Sequence, residues 1–194
     1  MNAPVPEISI ATIEQARKTI ANKVLQTPVQ LSASLSDQLG VPVHLKLEHT
    51  QITGSFKLRG ATNAVAALSN AEKQRGVVGV STGNHGRGLA YAARAAGVRC
   101  IICMSRLVPQ AKIDGIKAQG AEVRIVGNSQ DEAQLEVDRL VSEDGRTMIP
   151  PFDHRHVIAG QGTLGLELLD QVQELETILV PVSGGGLFSG VAAA

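Results

Sequence analysis

A strict alternation between Gly76 and Ile149 constrains this chain more than any other feature: short apolar runs are separated by segments of helical spacing. The runs occupy 77–80, 98–104 and 121–126, with a short one at Met148-Ile149, and the spacing predicts helices over about 85–96, 109–119 and 130–141. Strands and helices of these lengths in alternation imply parallel βαβ units with right-handed crossovers. A compact α/β unit is therefore expected at 76–150.

The flanks read differently. Ile10, Ile13, Ala16, Ile20 and Val24 recur at helical spacing over 10–24, with Thr12 and Gln15 able to form a capping box. After Thr27-Pro28 a short helix should end at Leu39-Gly40, a strand should run through 43–47, and a loop over 48–55 should lead into a helix over 56–69. Beyond Pro150-Pro151 the pattern predicts a helix from Gly160-Gln161-Gly162-Thr163, a strand over 177–182, and a glycine loop opening a helix at the C-terminus. A helix of about eight residues with neither cap nor partner is marginal, so a C-terminal continuation is expected.

Composition removes several function classes. The 194 residues carry 18 Lys+Arg and 18 Asp+Glu, with no basic run, which argues against a polyanion such as nucleic acid. Apolar residues at 43% exclude a disordered or fibrous chain. There is no apolar stretch of membrane-spanning length and no signal-like N-terminus, so a cytoplasmic protein is expected. Cys100 and Cys103 lie in an apolar, β-rich run with side chains directed to opposite faces, and read as two buried thiols rather than a redox pair. The chain has three Phe, one Tyr and no Trp, yet Phe56, Phe152 and Phe188 each sit in or beside a loop marked by glycine or proline. That placement hints at sites.

Three loops carry chemistry. In Ser183-Gly184-Gly185-Gly186-Leu187 consecutive glycines let backbone N–H groups converge at a helix start, as a phosphate cradle requires, although a tight strand-to-helix connection has the same glycines. The loop lacks the Gly-Lys-Ser/Thr of a nucleotide P-loop and the spacing of a dinucleotide fold. In Ser81-Thr82-Gly83-Asn84-His85-Gly86, at the C-terminal end of the first alternating strand, Ser81, Thr82, Asn84 and His85 crowd beside backbone donors, which suits a small carboxylate; Asn84 and His85 could equally cap the helix. A nicotinamide site is disfavoured, because the next strand ends in Met104-Ser105 without an acidic residue. The third loop ends in Phe56-Lys57-Leu58-Arg59, where the helix dipole and Arg59 should lower the lysine pKa and favour a nucleophilic neutral amine. His154-x-His156 would put two rings on one strand face, but no third ligand is evident and no metal is expected.

Thr53-Gly54-Ser55-Phe56-Lys57-Leu58-Arg59-Gly60-Ala61 resembles the pyridoxal-phosphate attachment site of the serine/threonine dehydratases, the fold-type-II group that includes serine racemase. The asparagine loop at 81–86, Pro151-Phe152-Asp153, Gly160-Gln161-Gly162-Thr163 and the glycine loop at 183–187 match the same family in the same order. The resemblance implies three-layer parallel sheets of the tryptophan-synthase β-like kind, with a small open-sheet substrate domain at 76–150 inserted in a larger, here incomplete, cofactor domain formed by 1–75 and 151–194. It implies pyridoxal 5'-phosphate held on catalytic Lys57 as a Schiff base, with Phe56 on its ring, Asn84 at the ring hydroxyl and backbone N–H groups of Ser183, Gly184, Gly185, Gly186 and Leu187 at its phosphate. Ser81, Thr82, Asn84 and His85 would hold the substrate carboxylate.

The implied reaction is β-elimination from a hydroxy amino acid, threonine or serine foremost, to a 2-oxo acid and ammonia in a homo-oligomer. Hydroxyaspartate or a hydroxyectoine-derived substrate, racemisation, or an inactive fragment are the alternatives. A cysteine-synthase-like enzyme fits less well, since that group has Asp-Arg where Leu58-Arg59 stand. The family more often has Ser at Thr82 and Gln-Ala at Arg87-Gly88, and its usual cation site and pyridine-nitrogen partner lie in a continuation past this chain. On that ground the 194-residue chain alone is expected to be inactive and to self-associate through an unfinished sheet.

Overall fold

The computed structural model describes residues 8–81 and 83–194. Its centre is a four-stranded parallel sheet in the order β5-β4-β3-β6, formed by β3 (Val77–Val80), β4 (Cys100–Met104), β5 (Glu122–Ile125) and β6 (Thr147–Met148). Val77 pairs with Cys100 on one side and Thr147 on the other, so β3 is central. Helices α5 (Asn84–Ala95), α6 (Gln110–Lys117) and α7 (Gln130–Ser142) make the crossovers, close to the predicted spans. All residues of β3 and β4 are buried, which is why these strands read as unbroken apolar runs.

Period-2 alternation divides the sheet between two cores. Val77, Cys100, Ile102 and Met104 meet Leu89 and Ile116 on one face, while Val78, Val80, Ile101 and Cys103 meet Ala133, Val137 and Leu140 of α7 on the other. The two cysteines are buried, unbonded and on opposite faces, as read from the sequence; burial pushes the Cys100 thiol up to about 12 and the Cys103 thiol up to about 11. The first core continues past the sheet, taking in Ala61, Ala64 and Val65 of α3 (Lys57–Ala66) and Val157 of α8 (Arg155–Gln171). Helix α3 is thus packed on α5 and α8 together.

Outside the alternating block the expectations need correction. Helix α1 (Ile10–Ile20) stops four residues early, with Asn22 at φ 62°, and its cap bond runs from the Ser9 N–H to the Thr12 hydroxyl rather than between Thr12 and Gln15. Helix α2 (Ala33–Leu39) ends on left-handed Gly40 as predicted, but β1 (Val29–Leu31), antiparallel to β2 (His44–Lys46), was not anticipated. The predicted helix over 56–69 ends at Ala66, and α4 (Asn70–Arg75) starts afresh on a Ser69/Glu72 capping box. Helix α8 begins at Arg155, ahead of the glycines, because these lie inside it to permit close crossings: a Cβ on Gly160 would stand 2.6 Å from the Gly60 Cα of α3. Residues 177–182 are not a strand. No described strand lies alongside to pair their backbone, and Leu179 is 91% exposed. The chain then enters α9 (Gly186–Ala193) through the glycine loop.

Candidate active site

Lys57 is the first residue of α3 and is half-buried. Its amine donates to the Pro151 carbonyl at 2.7 Å and lies 5.2 Å from the centre of the Phe56 ring. The lysine pKa is lowered, as predicted, but burial is the cause rather than Arg59.

Arg59 is turned away. At 0% exposure its guanidinium donates to both oxygens of Glu48 (2.9 and 2.7 Å) and both of Glu167 (2.5 and 2.8 Å). Lys46 completes the cluster, donating to Glu167 at 2.6 Å. Burial alone would weaken the Arg59 charge, but the two carboxylates more than offset it and hold the group above its ordinary pKa. Two cations and two anions neutralise one another and pin the first turn of α3 to the 3-10 turn Glu48–Thr50 and to α8.

The asparagine loop leaves the C-terminal end of β3, and α5 follows it. Its Gly88 lets α5 lie directly on the lysine, since a Cβ there would stand 3.1 Å from the Leu58 nitrogen and 3.2 Å from the Lys57 carbonyl carbon. Asn84, one helical turn before Gly88, is exposed on the same side of α5. The Ser81 hydroxyl accepts from the N–H groups of Gly86 (2.9 Å) and Gly83 (3.3 Å), and so caps α5. His85 is buried, with Nε2 donating to the Ile149 carbonyl at 2.8 Å. Burial, opposed by that bond and aided by Lys57, pulls its imidazole down to about 4, so the ring is neutral. Thr82 lies outside the described residues.

The glycine loop faces Lys57 across a cavity of about 280 Å³ lined by Phe56, Lys57, Phe152 and residues 181–188. All three phenylalanines of the chain are in that lining, and none of its residues is acidic. Gly185, at φ 82°, precedes α9 in a left-handed conformation that favours glycine. Among the described residues the N–H groups of Gly184, Gly185, Gly186, Leu187 and Phe188 have no acceptor; the first that does is Ser189, which donates to the Gly185 carbonyl at 2.8 Å. An amine, a flat apolar ring and five free N–H groups at a helix start suit a phosphorylated aromatic aldehyde. A larger groove of about 520 Å³ between α1, α3 and α8 lies elsewhere, lined by alanines and by polar side chains of α1 and α8, and its Asn63 amide is already bonded to the His156 carbonyl.

Sequence reasoning singled out Lys57, Phe56 and residues 183–187, and the structure brings these together. It flagged Phe188 through the scarcity of aromatics and its place beside the glycine loop, and Phe152 through these and the Pro151-Phe152-Asp153 motif. It missed Gly88 and the Arg59 cluster, whose partners lie 11 and 108 positions along the chain. The rings of His154 and His156 are 5.6 Å apart, and among the described residues no group of three or more His, Cys, Asp or Glu is placed to hold a metal. Nor is any described helix long and apolar enough to cross a membrane.

Comparison with known proteins agrees with this geometry. A Sinorhizobium fredii protein is 57% identical over 187 residues, spanning 96% of this chain and 56% of its own. The L-threonine ammonia-lyase of Thermotoga maritima is 44% identical over 187 residues, covering 96% of this chain and 47% of its own. The structure of maize serine racemase superposes with a TM-score of 0.92 at 39% identity, covering 95% of this chain and 56% of that one. The chain spans about half the length of the curated relatives it matches. The fold is that of the tryptophan-synthase β-like, fold-type-II pyridoxal-phosphate enzymes. The sequence profile of the family described as "Pyridoxal-phosphate dependent enzyme" matches residues 20–194, and the chain belongs to that family.

Proposed function

We propose that this chain carries the lysine half of a lyase that removes the β-hydroxyl and the amino group of a small hydroxy amino acid, threonine or serine, yielding a 2-oxo acid and ammonia. The observation that carries the reading is the half-buried Lys57 amine held at 2.7 Å from the Pro151 carbonyl, opposite a loop of acceptor-free N–H groups. When bound, pyridoxal phosphate supplies an aldehyde to capture amines and a ring that stabilises negative charge next to them. Every other part is this chain's own.

Lys57 Nζ would hold the cofactor covalently and, when free, would take the proton from the substrate Cα. Its lowered pKa keeps more of it neutral for that step. Phe56 would cover one ring face and Asn84 would meet the ring hydroxyl. Backbone N–H groups of residues 183–187 hold the phosphate without any charged side chain. The mouth of α5, with Ser81, Thr82, Asn84 and His85, would receive the substrate carboxylate, His85 through its backbone N–H since its ring is bonded to the Ile149 carbonyl. In this reading residues 76–150 are the substrate domain, 1–75 and 151–194 belong to the cofactor domain, and the protein works in the cytoplasm as a homo-oligomer. The match to an L-threonine ammonia-lyase over 96% of the chain supports the choice of substrate.

The reading is tested by following 2-oxo acid release, with pyridoxal phosphate present, from threonine, serine and hydroxyaspartate, on a protein that joins this chain to the part of its relatives' length that it does not span. Release of 2-oxobutyrate from threonine at the fastest rate is expected. Release from hydroxyaspartate alone would move the substrate class, and altered chirality of serine without ammonia release would replace elimination by racemisation.

A further inference from the structure

One four-residue segment, 149–152, touches all three loops of the site. The Ile149 N–H donates to the Val78 carbonyl at 3.0 Å, fixing the segment beside β3, and the Ile149 carbonyl accepts from His85 Nε2 at 2.8 Å. Two positions later the Pro151 carbonyl accepts from Lys57 Nζ at 2.7 Å. The next side chain, Phe152, lies against the glycine loop: a Cβ on Gly184 would stand 2.3 Å from its ring carbons, and one on Gly186 would stand 2.7 Å from its carbonyl oxygen. Pro150 and Pro151 have fixed φ and no N–H, so the middle of the segment is stiff and presents only acceptors.

The glycine loop needs such a support. Three consecutive glycines bring no side chain of their own to pack, and they lose more freedom on ordering than any other residues. Phe152 supplies the surface that the loop wraps, and the same segment holds the amine. The distance from the amine to the loop is therefore set by one rigid piece of chain, not by two independent loops.

From this we infer that residues 149–152 form a strap that registers Lys57 against the glycine loop, with Phe152 a positioning residue for the loop's N–H groups. The inference rests on the reading of residues 183–187 as the phosphate cradle. Preorganisation of this kind is expressed as affinity for the group that the loop holds, and only for that group.

The test compares two ligands, pyridoxal 5'-phosphate and pyridoxal, which differ only in the phosphate, on the wild-type protein and the variants Phe152→Ala, Phe152→Leu and Gly185→Asp. Phe152→Ala should weaken pyridoxal phosphate at least about tenfold while changing pyridoxal less than about threefold, and Phe152→Leu should recover most of the loss. Gly185→Asp should abolish the preference for the phosphorylated ligand. If Gly185→Asp binds both ligands like the wild type, the cradle reading falls and takes the strap with it. If Gly185→Asp behaves as expected but Phe152→Ala and Phe152→Leu keep the wild-type ratio, or lose both ligands equally, the cradle stands and the strap is wrong. If Phe152→Ala does not fold, Phe152→Val decides in its place: a loss of about fivefold for pyridoxal phosphate with pyridoxal changed less than about twofold is expected, and the wild-type ratio overturns the strap.

Discussion

The two walls of the site are built on opposite principles. On one side the first turn of α3 is held by a fully buried arginine, two carboxylates and a lysine, and by a helix that lies on it through Gly88. On the other the glycine loop has no ion pair: its glycines meet Phe152, itself 39% exposed, and its Leu187 packs at the edge of the apolar cluster of Leu164, Leu168 and Val191. The helix turn that carries the reactive amine is thus fixed by interactions that are costly to break, and the N–H groups by apolar contacts alone, which are cheaper to lose. A nucleophile must hold one position, whereas a cradle can be completed by the anion it receives.

The largest test of this contrast is Arg59→Met. It leaves Glu48 without its cation and Glu167 with Lys46 alone, and breaking a buried ion cluster from one side costs about 3–5 kcal/mol. The thermal midpoint should fall by about 10 °C or more, while Phe152→Ala moves it by only a few degrees. Equal losses from the two variants would dissolve the contrast.

Acid comes next. In the unfolded chain His85 takes up its proton near 6.5, but in the fold not until about 4. The stability it contributes is therefore complete above 6.5 and lost as pH falls toward 4, by up to about 3 kcal/mol. Urea unfolding of wild type and His85→Gln across pH 4–7 checks this. Their difference should shrink steadily below 6.5, and a difference independent of pH would show that His85 is not held neutral by burial.

The smallest effect is expected at the reactive residue itself. Lys57 is partly desolvated, with no carboxylate bonded to its amine, so Lys57→Met should leave stability unchanged or raise it by up to about 1 kcal/mol. A loss above about 2 kcal/mol in a thermal melt would mean that the amine also bears weight in the fold.

How much of this was legible in the sequence depends on range. The parallel sheet could be read because buried strands show as continuous apolar runs between helices long enough to have a period. The strand over 43–47 was read and appears as β2, but its partner β1, at three residues, is too short for any period, and α4, Asn-Ala-Glu-Lys-Gln-Arg, has no apolar face to betray it. Residues 177–182 have the composition of a strand, but strandedness also needs a neighbour. At the site, Lys57 and the glycine loop were visible because each carries its chemistry locally. Arg59 was misread for a geometric reason: two residues along a helix is a rotation of about 200°, so a charge adjacent in sequence points to the far side. The strap was out of reach, because the acceptor for Lys57 lies 94 residues away and is a backbone carbonyl that no side-chain pattern announces.

The central claim, that Lys57 is the residue on which pyridoxal phosphate is carried, is tested most directly by loading the protein with the cofactor, reducing it with borohydride and mapping the peptides by mass spectrometry. The pyridoxyl group is expected on Lys57 alone, and to disappear in Lys57→Met although that variant remains folded. A pyridoxyl group on Lys46 or any other lysine, or unchanged labelling in Lys57→Met, would contradict the account.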